Sequence, residues 1–231
     1  MIVNDDWVKD QTNRALLNTQ QVDLAVNVLK SAELPIHPDR PKNWDGYLAF
    51  CHTLRVAGLN EGVLDAGAGD ESAYLPALKK WGYDNILGCN LDRHDDFLAG
   101  IKNGVRHVYA DITKTAFQPE SFAFVACLSV IEHGVDWRAF LLEMHRILRA
   151  EGELFVSFDY WYEKINTDGL VTHDAALNIF SADEVLHILD FARTLGFKLQ
   201  GKAWRPHCDE RVINWAGRGY TFGNLLLRKD Q

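Results

Sequence analysis

Asp65 stands two residues before Gly67 in the run Val63-Leu64-Asp65-Ala66-Gly67-Ala68-Gly69, and that spacing is the clearest chemical signal in the chain. The run reads as an apolar strand end entering a glycine loop, and a helical segment over 71–81 follows at once. Strand, glycine loop and helix in succession bring backbone N–H groups and a helix N-terminus close to a polar ligand. Loops that bind dinucleotides present G-x-G-x-x-G to a pyrophosphate. This chain has Gly67, Gly69 and then Ser72, with Asp65, Asp70 and Glu71 around them. Three carboxylates repel a phosphate; they suit a ligand that carries a positive charge and an amino group.

The elements that must position these groups follow from the pattern downstream. From Val63 onward short apolar runs alternate with helical periodicity, the mark of βαβ units and a parallel sheet. Strands are expected over 62–65, 85–91, 105–110, 122–128 and 152–158. Runs at 197–204 and 221–228, joined by a turn-rich stretch without helical pattern, are expected to pair antiparallel at the far edge. Ligands on such sheets bind beyond the carboxyl ends of the strands. The chain places Asp65, Gly67 and Gly69 after the first strand, Asn90, Leu91 and Asp92 after the second, and Asp111 and Ile112 after the third. Ser129 to His133 follow the fourth strand, and Asp159, Tyr160 and Trp161 the fifth. Polar groups therefore gather where a ligand would lie, while apolar residues fill the strands.

Two helices between the strands carry clear end signals. Asp136 can cap a helix with Trp137, Phe140, Leu141, Met144, Ile147 and Leu148 on its apolar face and Gly152 just past its end. Ser181-Ala182-Asp183-Glu184 is a capping box that opens a second helix, stopped at Gly196. Residues 1–58 read as a helical cap on the same domain, with helices over 22–29 and 47–54 and a rigid extended connector over 34–41. The core is then 59–231, one domain with the cap, and the stretch 162–180 is long enough to be a lid or substrate-binding loop.

Net charge is −8, which argues against a nucleic-acid or anionic-membrane partner, since both need Lys/Arg surfaces. Cys51, Cys89, Cys127 and Cys208 show neither C-x-x-C spacing nor a disulfide framework. The longest uncharged apolar run, 122–131, is too short to span a bilayer, and the first residues lack a signal-peptide pattern. A reduced, cytoplasmic protein is expected. Neither His207-Cys208-Asp209-Glu210 nor His94-Asp95-Asp96 has metal-ligand spacing, so no metal is assigned.

Four pieces in order resemble the class I S-adenosylmethionine-dependent methyltransferases, in particular a methyltransferase type 11-like domain. They are Val63 to Gly69, Tyr109-Ala110-Asp111-Ile112, the run from Ser121 to His133, and Arg146-Ile147-Leu148-Arg149-Ala150-Glu151-Gly152-Glu153-Leu154. The family usually closes the last piece with Pro-Gly-Gly, where this chain has Ala150-Glu151-Gly152. The resemblance implies a Rossmann-like fold: a doubly wound, mostly parallel seven-stranded sheet with helices on both faces, an antiparallel last strand and an N-terminal helical cap. It implies S-adenosylmethionine as cofactor, with Asp65 near its methionine end and Gly67 and Gly69 in the loop that lets it approach. Asp111 would read the adenine amino group, an NH₂ donor suited to a carboxylate, with Ile112 packing on the ring. The family's ribose acid is replaced by Asn90, and Asp92 lies two residues on; either is expected to hold the ribose. Leu91 and Ser129 complete the expected cofactor contacts.

Methyl transfer asks mainly for alignment and exclusion of water, with a base only when the acceptor must lose a proton. His133, at the end of the fourth strand, is the candidate base or acceptor-orienting group, or else a packing residue. Asp159, Tyr160, Trp161 and Tyr162 either wall the acceptor pocket or close the core as an aromatic cluster. Asn43-Trp44-Asp45-Gly46-Tyr47 could form the opposite wall; His173 and Asp174 could reach the acceptor, though His173 also reads as a solvated loop residue. The expected function is methyl transfer to an oxygen or nitrogen of a small molecule or biosynthetic intermediate, such as a sugar or lipid precursor. The alternatives are a module that binds the cofactor without turnover, and a nicotinamide-dependent oxidoreductase on the same sheet.

Overall fold

The computed structural model describes residues 3–91, 100–102 and 104–230. Asp92 and the His94-Asp95-Asp96 run lie outside the described residues. The strands are β1 (Val63–Ala66), β2 (Ile86–Asn90), β3 (Ile101–Lys102), β4 (Val105–Tyr109), β5 (Phe122–Leu128), β6 (Leu148–Tyr160), the β7/β8 pair (Val171–Thr172 and Ala175–Ala176), β9 (Phe197–Leu199), β10 (Ile213–Trp215) and β11 (Arg218–Lys229). Five of them pair in parallel in the order β6-β5-β1-β2-β4. β11 joins β6 antiparallel, and β9 and β10 both pair antiparallel with β11. The short β3 adds a further antiparallel strand beside β4. All seven expected strands are present, and the last two pair as the sequence indicates.

The helices are α1 (Asp5–Gln11), α2 (Thr19–Ser31), α3 (Lys42–Val56), α4 (Tyr74–Trp81), α5 (Trp137–Ile147) and α6 (Ala182–Thr194). They cover both faces because successive strand residues point to opposite sides. Val63, Phe124, Ala126 and Phe155 pack with α2, α3 and α4 on one side. Leu64, Val125, Cys127 and Leu154 pack with α5 and α6 on the other. Asp136 caps α5 by accepting from the N–H groups of Arg138 and Ala139, and the Ser181/Glu184 capping box opens α6. Inside β6, Glu151 takes φ +61°, a left-handed conformation, at a position where the resembling family usually has glycine.

The N-terminal helices extend beyond the expected spans, and α1 is an addition to them. Between α1 and α2 an arm runs along β11. Leu16 N–H donates to the Phe222 carbonyl at 2.8 Å, and Asn224 N–H donates to the Arg14 carbonyl at 3.1 Å. Asn13 fastens this arm. It is fully buried, sits at φ +55° (a left-handed conformation that asparagine tolerates), and accepts from Leu226 N–H at 2.8 Å. Its amide donates to the carbonyls of Gln200 (2.5 Å) and Lys202 (3.0 Å). Asn224 reciprocates, accepting from Asn13 N–H at 2.9 Å and donating to the Gln11 carbonyl at 2.9 Å. This exchange joins the N-terminal cap to β11, at the other end of the chain.

Asn13→Ala removes three side-chain hydrogen bonds and strands a buried N–H, each loss costing roughly 1 kcal/mol or more. The variant is expected to be destabilised by about 3 kcal/mol, a fall in Tm of about 6–12 °C in a chain of this size. A urea or thermal melt measures it.

Candidate active site

The chain leaves β1 through Gly67 at φ +97°, where a Cβ would stand 2.4 Å from a Val130 methyl. Glycine is required there by both conformation and space. The N–H groups of Gly67 and Ala68 donate to the Cys89 carbonyl at 2.8 and 3.0 Å, and α4 starts only at Tyr74 rather than at 71. These two amides therefore serve β2 rather than a ligand, which corrects that part of the expectation drawn from the glycine spacing. What the loop presents instead is Asp65, 2% exposed, which accepts from Ser72 Oγ at 2.9 Å. Nothing lies within 4 Å of a Cβ built at Gly69, so the loop is open there.

A cleft of about 1430 Å³ runs from this loop in both directions. Toward β2 and β4 it is lined by Asn90, Leu91, Asp111 and Ile112. Asn90 donates through Nδ2 to the Ala68 carbonyl at 3.1 Å, tying the β2 end to the glycine loop. Asp111 begins a turn in which Oδ1 accepts from Thr113 N–H (2.8 Å) and Oγ1 (2.7 Å). Ile112 is 5% exposed and gives this part an apolar floor.

Toward β5 and β6 the cleft is built from segments far apart in sequence. Asp45 on α3 accepts from Ser157 Oγ at 2.5 Å and from Ser129 Oγ at 3.4 Å, and Ser129 N–H donates to Ser157 Oγ at 3.1 Å. His133 follows. Its Nδ1 is buried without a hydrogen bond, and its ring meets that of His173 edge-on, centroids 5.0 Å apart. His173 and Asp174 form the two-residue turn between β7 and β8 at φ +52° and +59°, as a type I′ hairpin requires. The return strand is tied back by Asn178 N–H donating to the Glu132 carbonyl at 2.8 Å. His173 is exposed, as a solvated loop residue would be, and its turn lies along the cleft.

The structure brings every described candidate to one cleft: Asp65, Gly67, Gly69, Asn90, Leu91, Asp111, Ile112, Ser129 and His133 all line it. Asn43, Asp45, Gly46 and Tyr47 form the wall facing the strand ends, as the N-terminal motif suggests. The residues after β6 do otherwise. None of Asp159, Tyr160, Trp161 and Tyr162 is among the lining residues. Asp159 N–H donates to Glu132 Oε1 at 3.3 Å, Tyr160 hydroxyl donates to the Pro206 carbonyl at 2.9 Å, and Trp161 lies under the Arg211 guanidinium. Of the two readings of that segment, Tyr160 and Trp161 fit the core-closing cluster, while Tyr162 is exposed and belongs to neither. Ser157 and the depth of Asp45 went unread in the sequence. An acid among the apolar residues of α3 was the available signal.

Burial dominates the electrostatics. It pushes Asp65 up to about 7, helped by the nearby Asp45 carboxylate and opposed by the Ser72 hydrogen bond. Asp45 is pushed up to about 6 by burial, against the Ser157 hydrogen bond and the pull of Lys42. Burial, with His173 and Lys42 nearby, pushes His133 down to about 4, so its imidazole is neutral at pH 7. Behind the cleft, burial raises both Glu132 and Asp159, and Glu132 further because the Asp159 carboxylate lies beside it.

A carboxyl raised in the folded state binds a proton that the unfolded chain has already lost. Its stabilising share is full below the unfolded value near 3.8 and disappears as pH rises through about 7 for Asp65. His52 and His133, depressed by burial, act oppositely below pH 6.5. The carboxyl effect is therefore read most cleanly between pH 6.5 and 8. Asp65→Asn is expected to stabilise the ligand-free protein by about 1–3 kcal/mol at pH 8, with a gain that shrinks toward pH 5. Denaturant melts at the two pH values test this.

Residues 64–156 match the family model described as a methyltransferase domain. No curated protein sequence matches the chain. Among solved structures, geranyl diphosphate methyltransferase in complex with GPP and sinefungin is similar at a TM-score of 0.60 and 14% identity, over 80% of this chain and 76% of that one. The (4+2)-cyclase SpnF is similar at 0.58 and 14%, over 92% and 94%. Phosphoethanolamine N-methyltransferase 2 of Haemonchus contortus, in complex with S-adenosyl-L-methionine, is similar at 0.54 and 14%, over 79% and 52%. Identities this low speak to the fold, and the domain match speaks to residues 64–156. Over those residues the chain carries a methyltransferase domain, and its fold is the one shared by S-adenosylmethionine-dependent methyltransferases of known structure.

Proposed function

We propose that this chain transfers a methyl group to an oxygen or nitrogen atom of a small molecule. The observation that carries the reading is the size and layout of the cleft. Pockets for one drug-sized ligand measure about 300–1,000 Å³, and about 1430 Å³ leaves room for a second small molecule beside the cofactor. Geranyl diphosphate and phosphoethanolamine methyltransferases among the fold neighbours support a small acceptor.

The residues fit S-adenosylmethionine. Asp65 is a buried carboxylate that forms no ion pair among the described residues, the place for a ligand ammonium. Asn90 accepts a ribose hydroxyl through its side-chain carbonyl, and Asp111 reads the adenine amino group above Ile112. Leu91 packs on the same side, and Ser129 marks the methyl end. When bound, S-adenosylmethionine supplies a methyl group already activated on a sulfonium. The chain's own work is to align the acceptor and keep water out. Neutral His133 orients the acceptor through Nδ1 without adding a positive charge beside the sulfonium. With a pKa near 4 it is a weak base, so orientation is the larger part of its role. The 162–180 segment closes over this end as a lid.

Calorimetric titration with S-adenosylmethionine, S-adenosylhomocysteine and NAD tests the reading. Micromolar binding of the two sulfur compounds and none of NAD is expected, with protons released near pH 7 as the ligand cation ionises Asp65. NAD binding alone overturns it. Asp65→Asn, the stabilised variant, should lose cofactor binding. His133→Ala should lower kcat by about 10- to 100-fold with cofactor Kd within twofold; unchanged turnover assigns His133 to packing.

A further inference from the structure

Strand order divides the cleft. Residues suited to the cofactor lie along β4, β2 and β1, so the space beyond β1, over β5 and β6, falls to the acceptor. Its floor is Asp45. That carboxylate is 1% exposed, lines the cleft, and receives three hydrogen bonds, from Ser157 Oγ, Ser129 Oγ and Gly46 N–H. All three donors are neutral. No Lys or Arg of the described residues forms an ion pair with it; Lys42, three residues back on α3, acts on it only through space. None of these donors carries a charge, so the carboxylate lacks a cationic partner among the described residues. Among the described lining residues eight are carboxylates and one is a lysine, which disfavours an anionic acceptor. Nearby, His133 lines the same part of the cleft.

A buried carboxylate held by neutral donors alone favours a cation as its missing partner. We propose that Asp45 receives the acceptor as an ammonium ion and takes the proton its nitrogen must lose, which makes the chain an amine N-methyltransferase. The proposal rests on the methyl-transfer reading above. The nitrogen gives one proton to the Asp45 carboxylate, and its freed lone pair forms the N–C bond. The electron pair of the broken S–C bond stays on sulfur, leaving a neutral thioether. The product nitrogen carries the positive charge, and Asp45 returns its proton to water. The raised pKa of Asp45 suits that task better than the depressed one of His133.

The test uses the full chain loaded with S-adenosylhomocysteine and two isosteric probes, benzylammonium and benzyl alcohol, titrated by NMR or calorimetry. Benzylammonium is expected to bind at least tenfold more tightly than benzyl alcohol, the value of one charge-assisted hydrogen bond. In Asp45→Asn that preference should fall to within twofold, with S-adenosylhomocysteine affinity within threefold of wild type. Equal binding of the two probes to wild type, no binding of the amine, or an amine preference that survives in Asp45→Asn each overturns the proposal. The wild-type arm decides even if the variant fails to fold. Failure of S-adenosylhomocysteine itself to bind overturns the methyl-transfer reading as well, so the two failures are distinct.

Discussion

A carboxylate buried without a cation raises the free energy of the folded state, and the cleft of this protein is lined by two such groups, Asp45 and Asp65. The surrounding chemistry follows from that constraint. Ser72, Ser129 and Ser157 donate hydroxyls to the two groups, which softens the burial without neutralising the charge. His133 stays neutral in the same low-dielectric space. Protein groups hold the negative charge in place without an ion pair among the described residues, and above about pH 7 the protein is less stable than its fold allows.

The two ends of the cleft are assembled differently. The end formed by β1, β2 and β4 draws on 65–69, 90–91 and 111–112, each a strand end with the turn after it. The opposite end needs α3, the β5 exit, the middle of β6 and the β7/β8 turn to meet. Those contacts depend on the cap lying where the arm through Asn13 and Asn224 holds it. The fold is shared by proteins as different as a methyltransferase of geranyl diphosphate and a (4+2)-cyclase, so it does not by itself fix what the second end holds.

This division explains what the sequence could disclose. The Asp65–Gly69 motif, the polar groups at the strand ends and the caps at Asp136 and Ser181 are local patterns whose physical meaning lies within a few residues. The βαβ alternation follows from periodicity alone. The pairing of Asp45 with Ser157 spans 112 residues, and nothing near either residue announces the other. The Gly67 and Ala68 amides looked available because their acceptor, the Cys89 carbonyl, belongs to the next strand. His173 looked solvated and is exposed; a polar hairpin turn does not disclose in sequence that it lies along the cleft. The residues after β6 were ambiguous for a related reason: an aromatic run suits a core edge as well as a pocket wall, and only Glu132, Pro206 and Arg211 decide between them.

The arm along β11 also sets a schedule for biosynthesis. Asn13 leaves the ribosome early, yet its partner Asn224 lies 211 residues further along. At about 5–20 residues per second, the intervening chain takes about 10–40 s to make. Through that interval the buried faces of α1 to α3 have no completed sheet to dock on, so the nascent protein offers apolar helices to chaperones or to neighbouring chains. The arm docks only after the final strand emerges. A polypeptide stalled or truncated before β11 therefore carries the entire glycine-loop motif and still lacks the strand to which Asn13 fastens.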